Sequence, residues 1–175
     1  IRIIFICLLF FFTVSTSLKG QVKNIGLPLI NNFPRSVYKA STQNWDITQN
    51  SLGFIYFANN DGMLEFDGQH WNTFPMPNKS IVRAVKSIND TIYTGAFEEF
   101  GYFAPNNHGT MVYTSLKNMV PEQFKNFDEI WKIHKVPEGV VFQSFKFMFL
   151  FNGKELKTIK PLQSYGHSFS LGNDF

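Results

Sequence analysis

The stretch WDITQNSLGFIYFANNDGMLEFDGQHWNTF, residues 45–74, places four short strand-like segments between turn residues. Its first segment alternates apolar and polar side chains, which is the period of a half-buried strand. Residues 54–58 are almost continuously apolar, as in a strand covered on both faces. Residues 59–62, Asn-Asn-Asp-Gly, accept the positive φ angles of a tight hairpin. The stretch therefore predicts four antiparallel strands, at residues 45–49, 54–58, 63–66 and 69–74.

Two further units follow the same plan along the chain. The second predicts strands at residues 81–86, 91–95, 99–103 and 110–113. The third follows an insertion that holds a short helix near residues 121–127, and predicts strands at residues 130–135, 140–144, 147–151 and 155–159. We match Trp45, Val82 and Trp131 between the units, at spacings of 37 and 49 residues.

Self-similar four-strand units of about 40 residues are typical of a β-propeller, in which each blade hides its faces against its neighbours. We therefore predict an all-β fold, a partial β-propeller of four-stranded antiparallel blades. About three blades lie at residues 45–75, 81–114 and 130–160, and the start of a fourth lies at 166–175. A flat antiparallel meander or a β-sandwich is the structural alternative.

The first 20 residues have the order of a secretory signal peptide. Arg2 precedes an apolar run at residues 3–14, and small residues follow at 15–17. The run is too short to span a bilayer, which requires about 20 residues. We expect an exported chain, an extended lead-in at residues 21–44, and a fragment that is truncated at both ends.

Charge and cysteine content exclude several classes of function. Two of the 16 basic residues, Arg2 and Lys19, lie in the leader, which leaves 14 against 13 acidic residues. A nearly neutral domain gives no electrostatic reason to expect nucleic-acid binding. The single cysteine, Cys7, also lies in the leader, so the mature part is expected to have no disulfides and no thiolate metal sites.

Motifs for catalysis, cofactors and metals are absent from the sequence. It contains no phosphate-binding loop, dinucleotide fingerprint, zinc-protease helix or nucleophile elbow. Its four histidines lack ligand spacing. Residues 59–62 suit a hairpin better than a calcium loop. Glu98 and Glu99 are adjacent on a strand, so we interpret them as solvated charges rather than a catalytic pair. We predict no catalytic residue, cofactor or metal.

Aromatic side chains are the strongest indication of a binding site. Those at repeat positions are interpreted as filling the space between blades: Trp45, Trp71, Trp131, Tyr56, Tyr93 and Phe103. Phe97 and Phe100 lie off the repeat, in a turn of the second unit, and are our candidates for ligand binding.

The first unit resembles the two-component-regulator propeller repeat of exported bacterial sensors. The residues that carry the resemblance are 45–49, 53–59, 62–64 and 66–68, followed by Trp71. The resemblance implies further blades, a triple-tyrosine immunoglobulin-like domain and a transmembrane helix. It also implies a cytoplasmic LuxR-type helix-turn-helix or a histidine kinase as the output.

Three functions remain open from the sequence. The first is a periplasmic ligand-sensing propeller of a transmembrane signalling or transcription regulator, which responds to an oligosaccharide or another periplasmic ligand. The others are an exported propeller enzyme acting on polysaccharide and a protein-binding scaffold, because the fold alone does not choose between them. The expected partners are that ligand, the membrane through a C-terminal part, and a second copy of the full-length protein in a homodimer.

Overall fold

The computed structural model describes Gly26 and residues 30–169, and every strand below lies in the compact unit Phe33–Phe175. The predicted signal peptide and residues 170–175 of the predicted fourth blade lie outside the described residues. The lead-in, predicted to be extended, contains a short helix α1 at Arg35–Tyr38. Pro34 precedes α1 with φ −72°, and proline's restricted φ suits a helix start. Lys39 ends α1 in the left-handed region, with φ 53°.

The first blade is a four-stranded antiparallel sheet in sequence order. Its strands are β1 Asn44–Gln49, β2 Ile55–Asn59, β3 Gly62–Phe66 and β4 Trp71–Phe74. The pair Asn59 and Gly62 closes the predicted hairpin. Gly62 has φ 130°, and a Cβ there would collide with the carbonyl group of Phe74, so this turn requires glycine.

The second and third blades repeat this order. Blade two contains β5 Val82–Ile88, β6 Thr91–Ala96, β7 Glu99–Pro105 and β8 Met111–Ser115. Blade three contains β9 Lys132–Val136, β10 Gly139–Gln143, β11 Met148–Phe151 and β12 Leu156–Ile159. All neighbouring strands are antiparallel. The predicted all-β fold of four-stranded antiparallel blades is confirmed.

The insertion between blades two and three contains two short 3-10 turns rather than one helix. They are η1 Lys117–Met119 and η2 Glu122–Phe124. Residues 125–127, which were included in the predicted helix, do not continue η2. Across the part of the chain that the structure describes, no helix has the length and apolar character of a membrane span.

The blades pack side by side through their first strands. The backbone N–H of Val85 on β5 donates to Oδ2 of Asp46 on β1 at 3.1 Å, and Ser87 N–H donates to Oγ1 of Thr48 at 3.1 Å. Strand β9 in turn contacts β5. We call β1, β5 and β9 the inner strands.

Two buried cores lie between the blades. The first joins blades one and two and includes Tyr56, Ala58, Met63, Met76, Val82, Val85, Ile92, Ala96 and Phe103. The second joins blades two and three and is dominated by four fully buried phenylalanines, Phe100, Phe127, Phe142 and Phe149. Burial of one such ring stabilises the fold by about 1.5–3 kcal/mol. Each blade therefore hides its faces against the next, as the sequence predicted.

Candidate functional site

Strand register shows which residues are equivalent in the three blades. In each blade, one residue of the inner strand pairs with a residue of the second strand that lies two positions before a two-residue hairpin tip. These pairs are Asp46 with Ala58, Ala84 with Gly95, and Lys132 with Gln143. The residues that precede these inner-strand positions are Trp45, Arg83 and Trp131. The predicted match of Val82 with the two tryptophans was wrong by one residue, because Arg83 occupies that place.

The register shifts at this end of the inner strands explain the error. The pairing of β1 with β2 skips Trp45, and the pairing of β5 with β6 skips Arg83. Such bulges leave one residue outside the ladder and redirect its side chain. Val82 remains in the ladder and is fully buried between blades one and two, whereas Arg83 leaves it.

The Arg83 guanidinium contacts both tryptophan rings. Its central carbon is 3.9 Å from the ring centroid of Trp45 and 5.1 Å from that of Trp131. The two rings are 6.2 Å apart and nearly perpendicular. Guanidinium groups bind the negative faces of aromatic rings at such distances, most strongly those of tryptophan. Trp45 and Trp131 therefore contact side chains of other blades, in line with our interpretation, but they do so around a cation at one end of the inner strands.

Glu129 fixes the remaining side of the guanidinium. Nη2 of Arg83 donates to Oε1 of Glu129 at 2.8 Å, and both side chains are mostly buried. Glu129 is itself held by an isolated antiparallel bridge to Phe97, and the backbone N–H of Ile130 donates to the Ala96 carbonyl at 3.1 Å. Within residues 30–169, Nε and Nη1 of Arg83 are buried and donate no hydrogen bond.

The hairpin tips at the same end complete the site. Asn60, Phe97 and Phe145 are the first tip residues of the three blades. Trp45 Nε1 donates to Asn60 Oδ1 at 2.7 Å, and the rings of Trp131 and Phe145 are 5.8 Å apart. We call Trp45, Arg83, Trp131, Glu129, Asn60, Phe97 and Phe145 the inner-strand cluster.

The two predicted ligand-binding phenylalanines lie in opposite environments. Phe97 belongs to the inner-strand cluster and is 47% exposed. Phe100 is completely buried, with its ring 4.8 Å from that of Phe142 and 4.9 Å from that of Phe149. Phe100 is therefore a core residue and is not placed to bind a ligand. The two residues are three positions apart, so Phe97 lies at the hairpin tip while Phe100 lies on β7 and faces the core between blades two and three.

The other repeat aromatics are mostly structural. Tyr56 and Phe103 are buried in the core between blades one and two, and Tyr93 packs against Phe142 of blade three. Trp71 lies on the outer strand β4, where its ring stacks on Phe66. The predicted role between blades holds for Tyr56, Tyr93 and Phe103, whereas the ring contacts of Trp71 lie within blade one and the lead-in.

The acidic pair of blade two is not a solvated pair. Glu98 is at the hairpin tip with φ 47°, whereas Glu99 is buried. The Tyr113 hydroxyl donates to the Glu99 carboxylate at 3.0 Å, and the Ser115 hydroxyl does so at 2.7 Å. Burial, followed by the charge of Glu99, raises the pKa of Tyr113. Our interpretation of both acids as solvated was wrong for Glu99, which is a satisfied core carboxylate.

A polar pocket of about 230 Å³ runs along the inner strands below the cluster. Its lining includes Asp46, Lys86, Lys132, His134 and Ser168. Burial lowers the pKa of His134, and the nearby charges of Lys132 and Lys86 lower it further. In the described part of the chain, no three His, Cys, Asp or Glu side chains are grouped as a metal would require.

No protein-family model matches the chain, and no curated protein matches it. Among solved structures, it is similar to the extracellular domain of BT4673 from B. thetaiotaomicron, which is named as a hybrid two component system. The identity is 15% and the TM-score 0.52, over 70% of this chain and 16% of that one. A second structure of that domain, named as a one component system, has 14% identity and a TM-score of 0.48, over 71% and 17%. The likeness concerns the fold, and this chain spans about a sixth of those chains.

Proposed function

We propose that this chain is the periplasmic ligand-sensing propeller portion of a transmembrane signalling regulator, and that the inner-strand cluster binds an oligosaccharide. The observation that carries the proposal is the contact of the Arg83 guanidinium with the rings of both Trp45 and Trp131, which brings together one residue from each of three blades. A site built from three blades responds to their relative positions, which is what a sensor must transmit.

The ligand class follows from the rings that reach solvent. Trp45 is 40% exposed, Phe145 40% and Phe97 47%. The rings of Trp45 and Phe145 both contact Trp131, and large exposed aromatic side chains grouped in this way mark binding surfaces. Their flat apolar faces complement the C–H faces of sugar rings, while the amide of Asn60 offers a hydrogen-bond donor to hydroxyl groups. In a closed propeller the inner strands surround the central axis, so the cluster would lie at its mouth.

Two comparisons outside the site support the signalling assignment. The fold is similar to that of a domain named as the extracellular part of a hybrid two component system. The sequence of blade one resembles the propeller repeat of two-component regulators, and residues 1–20 have the order of a signal peptide. These features support export and a sensory role, with a helix-turn-helix or a histidine kinase as the output.

The acids near the cluster favour binding over catalysis. Glu129 pairs with Arg83 at 2.8 Å, Asp128 with Lys146 at 2.9 Å and Glu98 with Lys117 at 4.0 Å. A glycosidase needs two carboxylates that face each other across the scissile bond, one of them protonated. Each of these three carboxylates is instead engaged by a basic side chain of the protein.

The test is binding of oligosaccharides to the intact extracellular part of the protein. Isothermal titration against a panel of neutral and acidic oligosaccharides should identify a ligand. Trp45→Ala and Phe145→Ala should then each weaken its affinity at least tenfold. The control is Val112→Ala, at an exposed position on the outer strand β8. An aliphatic side chain does not stack on a sugar ring, so this substitution should leave the affinity unchanged.

Activity of the whole protein separates the remaining functions. The ligand should switch on the regulated genes in cells, and the two aromatic substitutions should abolish that response. Release of shorter sugars by the purified protein would instead support the enzyme. Binding to a protein partner with no response to any oligosaccharide would support the scaffold.

A further inference from the structure

A second cavity lies at the opposite end of the blades from the inner-strand cluster. It has a volume of about 440 Å³ and separates blade one from blade two. Blade one contributes the hairpin between β1 and β2, and blade two contributes the turns that follow β5 and β7. Arg83 lies near the start of β5 and Asp90 lies in the turn just after its end, which separates them by about 20 Å at the rise of a strand. We call this cavity the distal cleft.

The walls of the distal cleft are apolar and partly aromatic. Phe54, Phe74 and Met111 are partly buried and pack on the core between blades one and two. Leu52 lies at the rim and is 74% exposed. A cavity of this size with apolar walls matches the dimensions of a small-molecule site.

The charged groups of the distal cleft are both acidic. Glu65 is only 7% exposed, and its carboxylate accepts a hydrogen bond from Asn72 Nδ2 at 3.1 Å. Asp90 lies at the rim, where it accepts a hydrogen bond from the Ser51 hydroxyl at 2.8 Å. Burial raises the pKa of Tyr56, and the charge of Glu65, the hydrogen bond to Glu65 and the charge of Asp90 raise it further. The field of both carboxylates therefore reaches the floor of the cleft.

No cation of the described chain neutralises these two acids. The cleft is lined without lysine or arginine, and among residues 30–169 neither Glu65 nor Asp90 forms an ion pair. Glu99, the equally buried acid of blade two, accepts hydrogen bonds from Tyr113 and Ser115, much as Glu65 does from Asn72 and Tyr56, but it does not line the cleft. An ionised carboxylate in an aromatic-walled cavity favours a positively charged occupant.

We propose that the distal cleft binds a small organic cation, an amine whose ammonium group meets Glu65 and whose apolar body lies against Phe54 and Phe74. The distal cleft shares no residue with the inner-strand cluster, so the proposal does not depend on the function assigned to that cluster. Because the cleft lies between two blades, an occupant would tie blade one to blade two at the end opposite to the sugar site.

The test uses three probes that share one ring and differ in charge: benzylammonium, benzyl alcohol and benzoate. Saturation-transfer NMR with the intact extracellular part should show binding of benzylammonium in preference to the other two. Glu65→Gln should weaken benzylammonium binding at least tenfold, because it removes the buried charge and keeps the shape. Asp90→Asn should weaken it about threefold, since Asp90 is at the rim.

Matched variants keep the test decisive. Glu99→Gln removes an equally buried carboxylate outside the cleft and should leave benzylammonium binding unchanged. Leu52→Arg places a cation at the exposed rim and should weaken it even if Glu65→Gln fails to fold. Equal binding of the three probes, no binding of benzylammonium at millimolar concentration, or full binding by both Glu65→Gln and Leu52→Arg would overturn the proposal. Loss of oligosaccharide binding alone would concern only the inner-strand cluster.

Discussion

The inner-strand cluster and the core between blades two and three are built from the same repeat, yet they expose different chemistry. In the core, Phe100, Phe142 and Phe149 stack with no exposed surface. In the cluster, aromatic rings surround a cation and reach solvent. The difference is set by strand register. Residues within the ladder alternate between the two blade interfaces, whereas residues displaced by a bulge or placed at a hairpin tip project from the end of the blade.

Substitution of Phe100 and Phe97 separates the two regions most clearly. Phe100→Ala should lower the free energy of unfolding by about 3–5 kcal/mol, because it leaves a cavity among packed rings. Phe97→Ala should lower it by less than about 0.5 kcal/mol, because the side chain is half exposed. Urea denaturation of the intact protein measures both. Similar losses for the two variants would contradict the assignment of core and tip.

The interface between blades two and three has a second sensitive point at Gly95. A Cβ at Gly95 would lie 2.6 Å from Cβ of Ile130, closer than van der Waals contact allows. Gly95→Ala should therefore lower the free energy of unfolding by about 1–3 kcal/mol through overpacking. Gly166→Ala is the control, since a Cβ there meets no atom within 4 Å. A neutral Gly95→Ala would mean that the blades pack less closely than described.

The sequence predicted the positions of the strands well, but it predicted only some residues of the inner-strand cluster. Alternation and turn residues located all twelve strands of the described blades to within a few residues. The bulges at Trp45 and Arg83 could not be predicted, because they depend on pairing between strands and not on the residues within one strand. This is why Val82 was matched in place of Arg83, and why Phe100 was grouped with Phe97. A lone arginine at the repeat position of two tryptophans was the signal that could have revealed the cluster.

The ion pair between Arg83 and Glu129 should contribute less to the free energy of unfolding than a buried phenylalanine of the core does. A double-mutant cycle with Arg83→Met and Glu129→Gln should give a coupling energy of about 1–2 kcal/mol, because the pair is mostly buried at 2.8 Å. Arg83→Lys keeps the charge but loses the flat stacking surface, so it should destabilise the fold as well. A coupling energy near zero would show that the two side chains do not depend on each other.

His134 in the inner-strand pocket should make the free energy of unfolding modestly dependent on pH. The pKa of His134 is lowered from its ordinary 6.5 by burial and by Lys132 and Lys86, so the unfolded chain takes up a proton before the folded one. The free energy of unfolding should therefore fall as the pH drops below about 6.5, until the folded histidine is protonated too. His134→Gln should flatten this part of the pH profile. An unchanged slope in that variant would assign the dependence to other groups.

Fluorine NMR of the intact protein labelled with 5-fluorotryptophan tests the cluster most directly. The resonances of Trp45, Trp131 and Trp71 can be assigned by replacing each with Phe. On titration with the oligosaccharide ligand, Trp45 and Trp131 should shift together, and Trp71 on the outer strand should not. A shift of Trp71 alone, or saturable binding that moves none of the three, would contradict a binding site at the inner strands.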